Sequence, residues 1–264
     1  ALSTKGAQEM AAERGYSILL GSHDYSGDTE AELVRLFQEK RVDGIIFNGY
    51  PIKQETVEYL NRFQISYLVT WEKPENRDIP FVAFDNVRSG FNVTNYLLGL
   101  GHRRIGMITA YFKSSTRSYK RYLGFRNALE QMNIPYNDSL VIQKDYTVME
   151  GREAAARLVA LPDPPTALFC GNDLLAMGAM AAAKEAGFIV GKDISITGFD
   201  DLEMSSTLDP PLTTVRIPAF QMGKKAAEVL IDTIEKRTSA AQHYLLDTDL
   251  IIRGSTGPPV LKKL

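Results

Sequence analysis

The sequence predicts an α/β fold built on doubly wound parallel sheets, and three observations lead to this prediction. Short apolar runs alternate with amphipathic stretches along the chain, which is typical of β-α-β units. The runs are apolar throughout, as in "IGMITA" (Ile105–Ala110), and strands with this pattern are covered on both faces. The chain has 264 residues, of which 44% are hydrophobic, so one or two domains with large cores are expected.

Each strand is predicted from a short apolar run. The last run, "ISITGF", ends in two carboxylates, and the extended segment "DPPLTTV" (Asp209–Val215) follows it. The predicted strands are, in order, Tyr16–Gly21, Asp43–Asn48, Ile65–Trp71, Phe81–Asp85, Ile105–Ala110, Leu140–Gln143, Thr166–Cys170 and Ile194–Phe199, with Leu212–Val215 as a further strand.

The helices are predicted from apolar residues that recur on one face. Thr29 and Glu32 form a plausible capping box for the first of them. Gly101 is the expected C-cap of the helix before Ile105, and Asn172 or Asp173 is the expected N-cap of the helix that starts at Leu174. The helical faces are Leu33, Leu36 and Phe37; Tyr59, Leu60 and Phe63; Val87, Phe91, Thr94 and Leu98; Tyr122, Phe125 and Leu129; the stretch Gly151–Ala160; and Phe220, Ala227, Leu230 and Ile234.

The net charge, the apolar runs and the cysteine count argue against a nucleic-acid-binding chain, a membrane-spanning protein and a disulfide-stabilised one. The net charge is −2 and the isoelectric point is about 6.0, so the chain is not expected to hold nucleic acid by itself. No apolar run approaches the roughly 18 residues of a membrane span. The single cysteine, Cys170, excludes an internal disulfide and fits a cytoplasmic protein. Because the chain starts without Met and within a helical pattern, we expect it to be a fragment of a longer protein.

Catalytic and metal-binding patterns are absent from the sequence. There is no G-x-S-x-G elbow, no G-x-G-x-x-G fingerprint and no P-loop. Cys170 lies inside an apolar strand pattern and is expected to be inert. The three histidines lack metal-ligand spacing, so we expect no enzyme, no metal and no cofactor. His102 is expected to complement a helix dipole, and His23 with Asp24 is a minor candidate for contact with a ligand.

Polar and aromatic side chains follow several of the predicted strands. In doubly wound sheets, ligands bind beyond the carboxyl ends of the strands. The sequence therefore predicts a binding site at this edge, close to Asn48, Trp71, Asn172, Asp200 and Asp201.

Six sequence blocks occur in order over nearly the whole chain, and together they resemble the effector-binding region of the lactose-repressor/galactose-repressor family of bacterial transcriptional regulators. The blocks are "RVDGIIF" (Arg41–Phe47), "GHRRIGMI" (Gly101–Ile108), "RYLGF" (Arg121–Phe125), "PTALFCGNDLLAMGAM" (Pro165–Met180), "ISITGFDD" (Ile194–Asp201) and "DPPLTTV" (Asp209–Val215).

The resemblance implies two similar doubly wound lobes around a cleft, as in type I periplasmic sugar-binding proteins. Three crossovers would join the lobes, near Asp85–Asn86, Arg216–Pro218 and Gln242–His243. Residues 1–85 and 217–242 would then form the N-terminal lobe, and residues 86–216 and 243–264 the C-terminal lobe. The family's DNA-binding helix-turn-helix, its hinge helix and the opening strand of the first lobe are expected to be missing from this chain.

The resemblance also implies a set of ligand-binding residues whose chemistry suits a sugar. An Asp carboxylate only accepts hydrogen bonds, an Arg guanidinium only donates them, and an Asn amide does both. Aromatic rings offer flat faces to the C–H side of a sugar ring. The positions carried over are Asp200, Arg121, Asn172, Trp71, Tyr146 and Asn48.

Each of these residues also has a plain structural interpretation. Asp200 and Asp201 could only cap the next segment, with Asp201 otherwise in an interlobe or solvent contact. Asn172 could be an N-cap alone or fill both roles. Arg121 lies in a basic cluster that is typical of a solvated helix face, and Tyr146 and Trp71 could belong to the core. Two departures from the family, Thr70 and Ile217, leave the identity of the ligand open among sugars, purines and phosphorylated metabolites.

The expected function is therefore that of the ligand-sensing domain of a cytoplasmic transcriptional regulator. It would bind a small effector and change operator affinity through the missing DNA-binding domain, most simply as a homodimer. The apolar side chains of Leu174, Leu175, Met177 and Met180 exceed what one helix face requires, so some could face a partner. A secreted solute-binding receptor of the same fold is the alternative, and the N-terminal sequence would discriminate between them.

Overall fold

The computed structural model describes residues 2–22, 27–49, 52–76, 78–236 and 241–260. In chain order the helices are α1 (Leu2–Glu13), α2 (Gly27–Glu39), α3 (Gln54–Arg62), α4 (Asn86–Gly99), α5 (Thr116–Gln131), α6 (Val148–Val159), α7 (Asp173–Glu185) and α8 (Ala219–Ile234). The strands are β1 (Gly44–Asn48), β2 (Ser66–Thr70), β3 (Phe81–Phe84), β4 (Ile105–Thr109), β5 (Val141–Gln143), β6 (Ala167–Cys170), β7 (Ser195–Asp200), β8 (Thr213–Arg216), β9 (His243–Leu246) and β10 (Asp249–Ile251).

These elements form two compact units, and the α/β prediction is confirmed. The first unit is Ala1–Asp85 with Pro218–Asp247, and the second is Asn86–Ile217 with Thr248–Leu264. The third crossover was expected at Gln242–His243, but the chain leaves the first unit only after Asp247. The reason is β9, which pairs in parallel with β3 and so adds a strand to the first sheet before the chain crosses.

The first unit is a parallel sheet with strand order β1-β2-β3-β9. Apolar side chains on one face of this sheet, among them Phe47 and Val69, pack with Val34, Leu60 and Ile79 into a buried core. Burial of this kind stabilises a fold by about 25 cal/mol for each Å² of apolar surface. The helix α1 packs along α8, the amphipathic helix expected from Phe220–Ile234.

Two local predictions in the first unit are wrong. The segment Tyr16–Gly21 was expected to be a strand, but it is extended without pairing, and Leu20 is 70% exposed. No described strand pairs with it, and it borders a groove of about 790 Å³ that α1, α8 and β1 also line. The capping box is also wrong, since α2 begins at Gly27 and Thr29 therefore lies inside its first turn.

The second unit is a six-stranded sheet with order β10-β8-β7-β6-β4-β5. All neighbouring strands are parallel except β10, which is antiparallel to β8. Strands β4 and β6 are buried at every position, as their continuous apolar sequences predict. Helices α6 and α7 cover one face of this sheet, and their alanines pack with Leu158, Leu168 and Ile196.

Three pairs of helices touch through their backbones, because each pair meets at glycines on both sides. A β-carbon on Gly90 of α4 would overlap the carbonyl of Arg121, and one on Gly124 of α5 would overlap the carbonyl of Val87. The same reciprocal contact joins α6 and α7 at Gly151 and Gly178, and α1 and α8 at Gly6 and Gly223.

The residue His102 anchors the segment after β10 rather than complementing a helix dipole. Its ring is buried, with Nδ1 2.8 Å from Thr166 Oγ1 and Nε2 2.9 Å from both Ser195 Oγ and the Gly257 carbonyl oxygen. Burial lowers the pKa of His102, so the neutral ring is favoured. Among the described residues, no helix has the length and apolar character needed to cross a membrane.

Candidate functional site

The residue Asp200 ends β7 and presents its carboxylate at the carboxyl edge of the second sheet. Its φ of 106° is in the left-handed region, which a residue with a β-carbon rarely adopts. Burial raises the pKa of Asp200 to about 6, with Asp173 also raising it and Arg121 and Arg117 lowering it. A carboxylate that is held in a strained backbone and only partly compensated by charge is suited to accept hydrogen bonds from a ligand.

Two neighbouring carboxylates, those of Asp201 and Asp173, accept hydrogen bonds from protein donors, and in this they differ from Asp200. Asp201 has a side chain that is only 7% exposed, and it accepts hydrogen bonds from Arg216 Nε and Arg253 Nη2, both at 2.7 Å. The expectation that Asp201 makes an interlobe or solvent contact is therefore wrong, since both partners belong to its own unit. Asp173 accepts from Thr214, Leu202 and Ser205.

The residue Arg121 lies on α5 and is 5% exposed, so its interpretation as part of a solvated helix face is wrong. Its Nη1 donates to the carbonyl of Gly171 at 2.5 Å, and its guanidinium carbon lies 4.1 Å from the ring centroid of Phe199. The latter is a cation–π contact. Its Nε has no hydrogen-bond partner among the described residues. The positive charge of Arg121 lowers the pKa of Asp200, so the two side chains lie close enough to interact.

The residue Asn172 is the N-cap of α7 and can also serve a ligand. Its Oδ1 accepts from the Leu175 amide at 2.9 Å. The capping bond uses only the oxygen, and the Nδ2 group remains a possible donor. Asn172 follows Gly171, whose carbonyl accepts from Arg121, so the Arg121 guanidinium reaches from α5 to the loop that carries Asn172.

The residue Tyr146 packs against the core of the second unit while its hydroxyl is bonded to the buried Ser118 of α5 at 2.6 Å. The core interpretation of this tyrosine is therefore supported, and its contact with a ligand stays a prediction. Sequence reasoning missed Ser118 and Thr109. Thr109 ends β4, and its hydroxyl is buried and has no hydrogen-bond partner among the described residues. Its position at the end of an apolar strand was the available signal.

The two candidates in the first unit lie at the carboxyl edge of the first sheet. Asn48 ends β1 and is exposed, and it pairs in register with Thr70, the residue before Trp71. Trp71 has a φ of 71° and contacts Phe84 edge-on, with ring centroids 6.2 Å apart. The structure thus groups Asn48 with Trp71 in one unit, and Asp200 with Arg121, Asn172 and Tyr146 in the other. His23 and Asp24 lie outside the described residues.

The cysteine of this chain is poorly suited to nucleophilic catalysis. Cys170 is fully buried, and burial raises the pKa of its thiol far above the ordinary value, which disfavours the reactive thiolate. In the part of the chain that the structure describes, no three His, Cys, Asp or Glu side chains group as metal ligands would.

Comparison with known proteins places this geometry in a family. The model of a periplasmic binding protein-like domain matches residues 94–256. The repressor CytR of Escherichia coli (strain K12), an HTH-type transcriptional repressor, is 32% identical over 252 residues, which cover 96% of this chain and 74% of that protein. The chain belongs to the LacI/GalR family of transcriptional regulators. It corresponds to the effector-binding domain of that family.

Solved structures of the LacI family support the same assignment. The transcription regulator GntR from Chromobacterium violaceum superposes with a TM-score of 0.91 at 28% identity, covering 96% of this chain and 93% of that one. A LacI-family regulator from Enterococcus faecium with bound ribose gives a TM-score of 0.85 at 26% identity, covering 97% and 93%. The two-unit α/β architecture is therefore that of LacI-family effector domains.

Proposed function

We propose that this LacI-family domain binds a small polyhydroxylated effector, a sugar or a sugar-derived metabolite, at the carboxyl edges of both sheets. Asp200, Arg121, Asn172 and Tyr146 would contact it from the second unit, and Trp71 and Asn48 from the first. The observation that carries the proposal is Asp200, the one carboxylate of its group of three that no described protein donor occupies.

The chemistry of these groups matches a ring that carries hydroxyls. Asp200 accepts from hydroxyl groups, while Arg121 Nε and Asn172 Nδ2 donate to their oxygens. Hydrogen bonds to charged groups contribute roughly 1.5–3 kcal/mol each, so two of them contribute about 3–6 kcal/mol of the roughly 8 kcal/mol that micromolar affinity requires. The ring of Trp71 supplies a flat apolar surface for the C–H face of a sugar. The relative from Enterococcus faecium that holds ribose gives this ligand class further support.

The effector would act by shifting a conformational equilibrium. A ligand that contacts both units favours the arrangement in which both sets of groups reach it, and it shifts the population by its difference in affinity. In the cytoplasm, a regulator that carries DNA-binding domains would convert this shift into a change of operator affinity. The relatives are transcriptional regulators, so we propose no catalytic role.

Calorimetric titration with a panel of pentoses, hexoses, disaccharides, sugar phosphates and purine nucleosides tests the proposal. We expect one compound to bind wild-type protein and to lose about ten- to a hundredfold in affinity in Asp200→Ala. Ser206→Ala, which removes an exposed hydroxyl that bonds only the Glu203 carbonyl, is the control. A ligand that binds Asp200→Ala as tightly as wild type would place the site elsewhere.

The domain is also proposed to form a two-fold dimer, because regulators that bind palindromic operators share that symmetry. Leu175 and Met180 are buried within their own unit, whereas Leu174 and Met177 remain partly exposed. Met149 is 66% exposed and lies in the first turn of α6. Because this turn packs against Gly178 of α7, Met149 lies near the same helix. Sedimentation at tens of micromolar should show a dimer that Met177→Asp converts to monomer; a wild-type monomer would contradict the proposal.

A further inference from the structure

The carboxylate of Asp173 is buried beside the effector site but faces the fold and not the edge of the sheet. It lies at the first residue of α7 and is fully buried. Its Oδ2 accepts from the Leu202 amide at 2.7 Å and from Ser205 Oγ at 2.6 Å, and its Oδ1 accepts from Thr214 Oγ1 at 2.5 Å. One side chain therefore ties α7 to the turn after β7 and to β8.

These three bonds surround the strained residues Asp200 and Asp201. Their φ values of 106° and 50° lie in the left-handed region, where a residue costs about 1–3 kcal/mol and persists only if its surroundings fix it. The Asp173 contacts fix both sides of this pair. Leu202 follows it in sequence, and Thr214 Oγ1, which donates to Asp173, is also 3.4 Å from the Asp201 amide and can accept from it.

The backbone of β7 packs closely against Asp173. A β-carbon on Gly198, within β7, would overlap Asp173 Oδ1, so the strand passes directly against the carboxylate. The start of α7 favours a negative charge, and three donors bind the carboxylate, which offsets part of the cost of burying it; burial still raises the pKa of Asp173 above its ordinary value. A neutral apolar side chain here would leave the Leu202 amide and two hydroxyls buried without an acceptor.

We propose that Asp173 is a positioning residue for the effector site, holding the turn after β7 so that Asp200 presents its carboxylate at the edge of the sheet. The inference rests on the proposed function only for the identity of Asp200 as a ligand contact. It predicts that loosening the turn alters the environment of Asp200 even in the absence of ligand, which a purely stabilising contact at α7 would not do.

The ¹³C signal of the Asp200 carboxyl, followed against pH in ligand-free protein and assigned by its absence in Asp200→Asn, tests the inference. Two adjacent serines provide a matched pair: Ser205 donates to Asp173, whereas Ser206 donates only to the Glu203 carbonyl. Burial is the main cause of the raised pKa of Asp200, so a loosened turn should lower it. We expect a downward shift of about half a pH unit or more in Ser205→Ala, and none in Ser206→Ala.

Thr214→Val is the second variant, because valine keeps the shape of threonine but offers no donor to Asp173. It should shift the Asp200 titration in the same direction, in protein whose other amide signals stay in place. Unchanged Asp200 titration in both Ser205→Ala and Thr214→Val, or an equal shift in Ser206→Ala, would overturn the inference. Since no ligand is needed, a failed effector panel would count against the proposed function alone.

Discussion

Substitution of Asp200 by asparagine should stabilise the ligand-free protein at neutral pH while it abolishes tight effector binding. The carboxyl has a pKa of about 6 in the fold against an ordinary value of 3.8. Because the folded-state pKa is the higher one, the neutral carboxyl is favoured by folding. This contribution is fully present below pH 3.8 and is lost as the pH rises through about 6.

The size of the effect follows from the difference between the two pKa values. Each unit corresponds to 1.36 kcal/mol, so ionising Asp200 destabilises the fold by about 3 kcal/mol at pH 7.5. Asparagine carries no charge at any pH. The variant should therefore be more stable by up to about 3 kcal/mol at pH 7.5 and equal to wild type near pH 4.

Urea unfolding at both pH values measures this difference. Circular dichroism reports both units, whereas the emission of Trp71, the only tryptophan in the sequence, reports the first unit, so the transition of the second unit can be separated. Effector affinity adds an independent check: between pH 7 and pH 5, wild type should lose about tenfold as Asp200 is protonated. A variant that is less stable than wild type at pH 7.5, or a stability difference independent of pH, would refute the reasoning.

Three further outcomes are expected. Asp201→Ala should reduce stability by about 1–3 kcal/mol in urea unfolding, because it removes the carboxylate to which Arg216 and Arg253 donate. In calorimetry it should weaken effector binding less than Asp200→Ala does, and the opposite order in affinity would show that Asp201 is the ligand contact. Trp71 emission should change when an effector binds, and a calorimetrically bound ligand that leaves it flat would remove Trp71 from the site. Cys170 should resist a thiol reagent in native protein and react in urea; rapid reaction without denaturant would disagree with its burial.

The fold could be predicted from the sequence wherever a strand is buried on both faces. β4, β6 and β7 carry continuous apolar runs because parallel strands under helices have no solvent-facing side, and this pattern is local. Tyr16–Gly21 has the same pattern, yet an apolar run forms a strand only where a neighbour offers hydrogen bonds, and no described strand does so. Pairing of β9 with β3 was not predicted, since β9 has only four residues and lies at the edge of its sheet without a buried side chain.

The sequence could indicate the edge of the sheet where the candidate residues lie, but not the contacts of each carboxylate. Position after a strand indicated Asp200 and Asp201 alike, and the family resemblance alone selected Asp200. The three-dimensional contacts give a physical reason to separate them, since Asp201 accepts from Arg216 of β8 and from Arg253 of the segment after β10. Asp173 was expected only as a helix cap, because its donors Ser205 and Thr214 are remote in sequence and lie in segments without a motif of their own.

The reciprocal glycine contact between α4 and α5 has a consequence for tolerance to mutation. Where two helices meet through side chains, a substitution is absorbed by a change of rotamer, but at a backbone contact the helices themselves must separate. The atom that a methyl group on Gly90 would displace is the carbonyl of Arg121, whose guanidinium lies over Phe199 next to Asp200. Gly90→Ala adds one methyl group to a helix that contributes no side chain to the proposed effector contacts. It would nevertheless displace the guanidinium of Arg121 at the edge of the sheet.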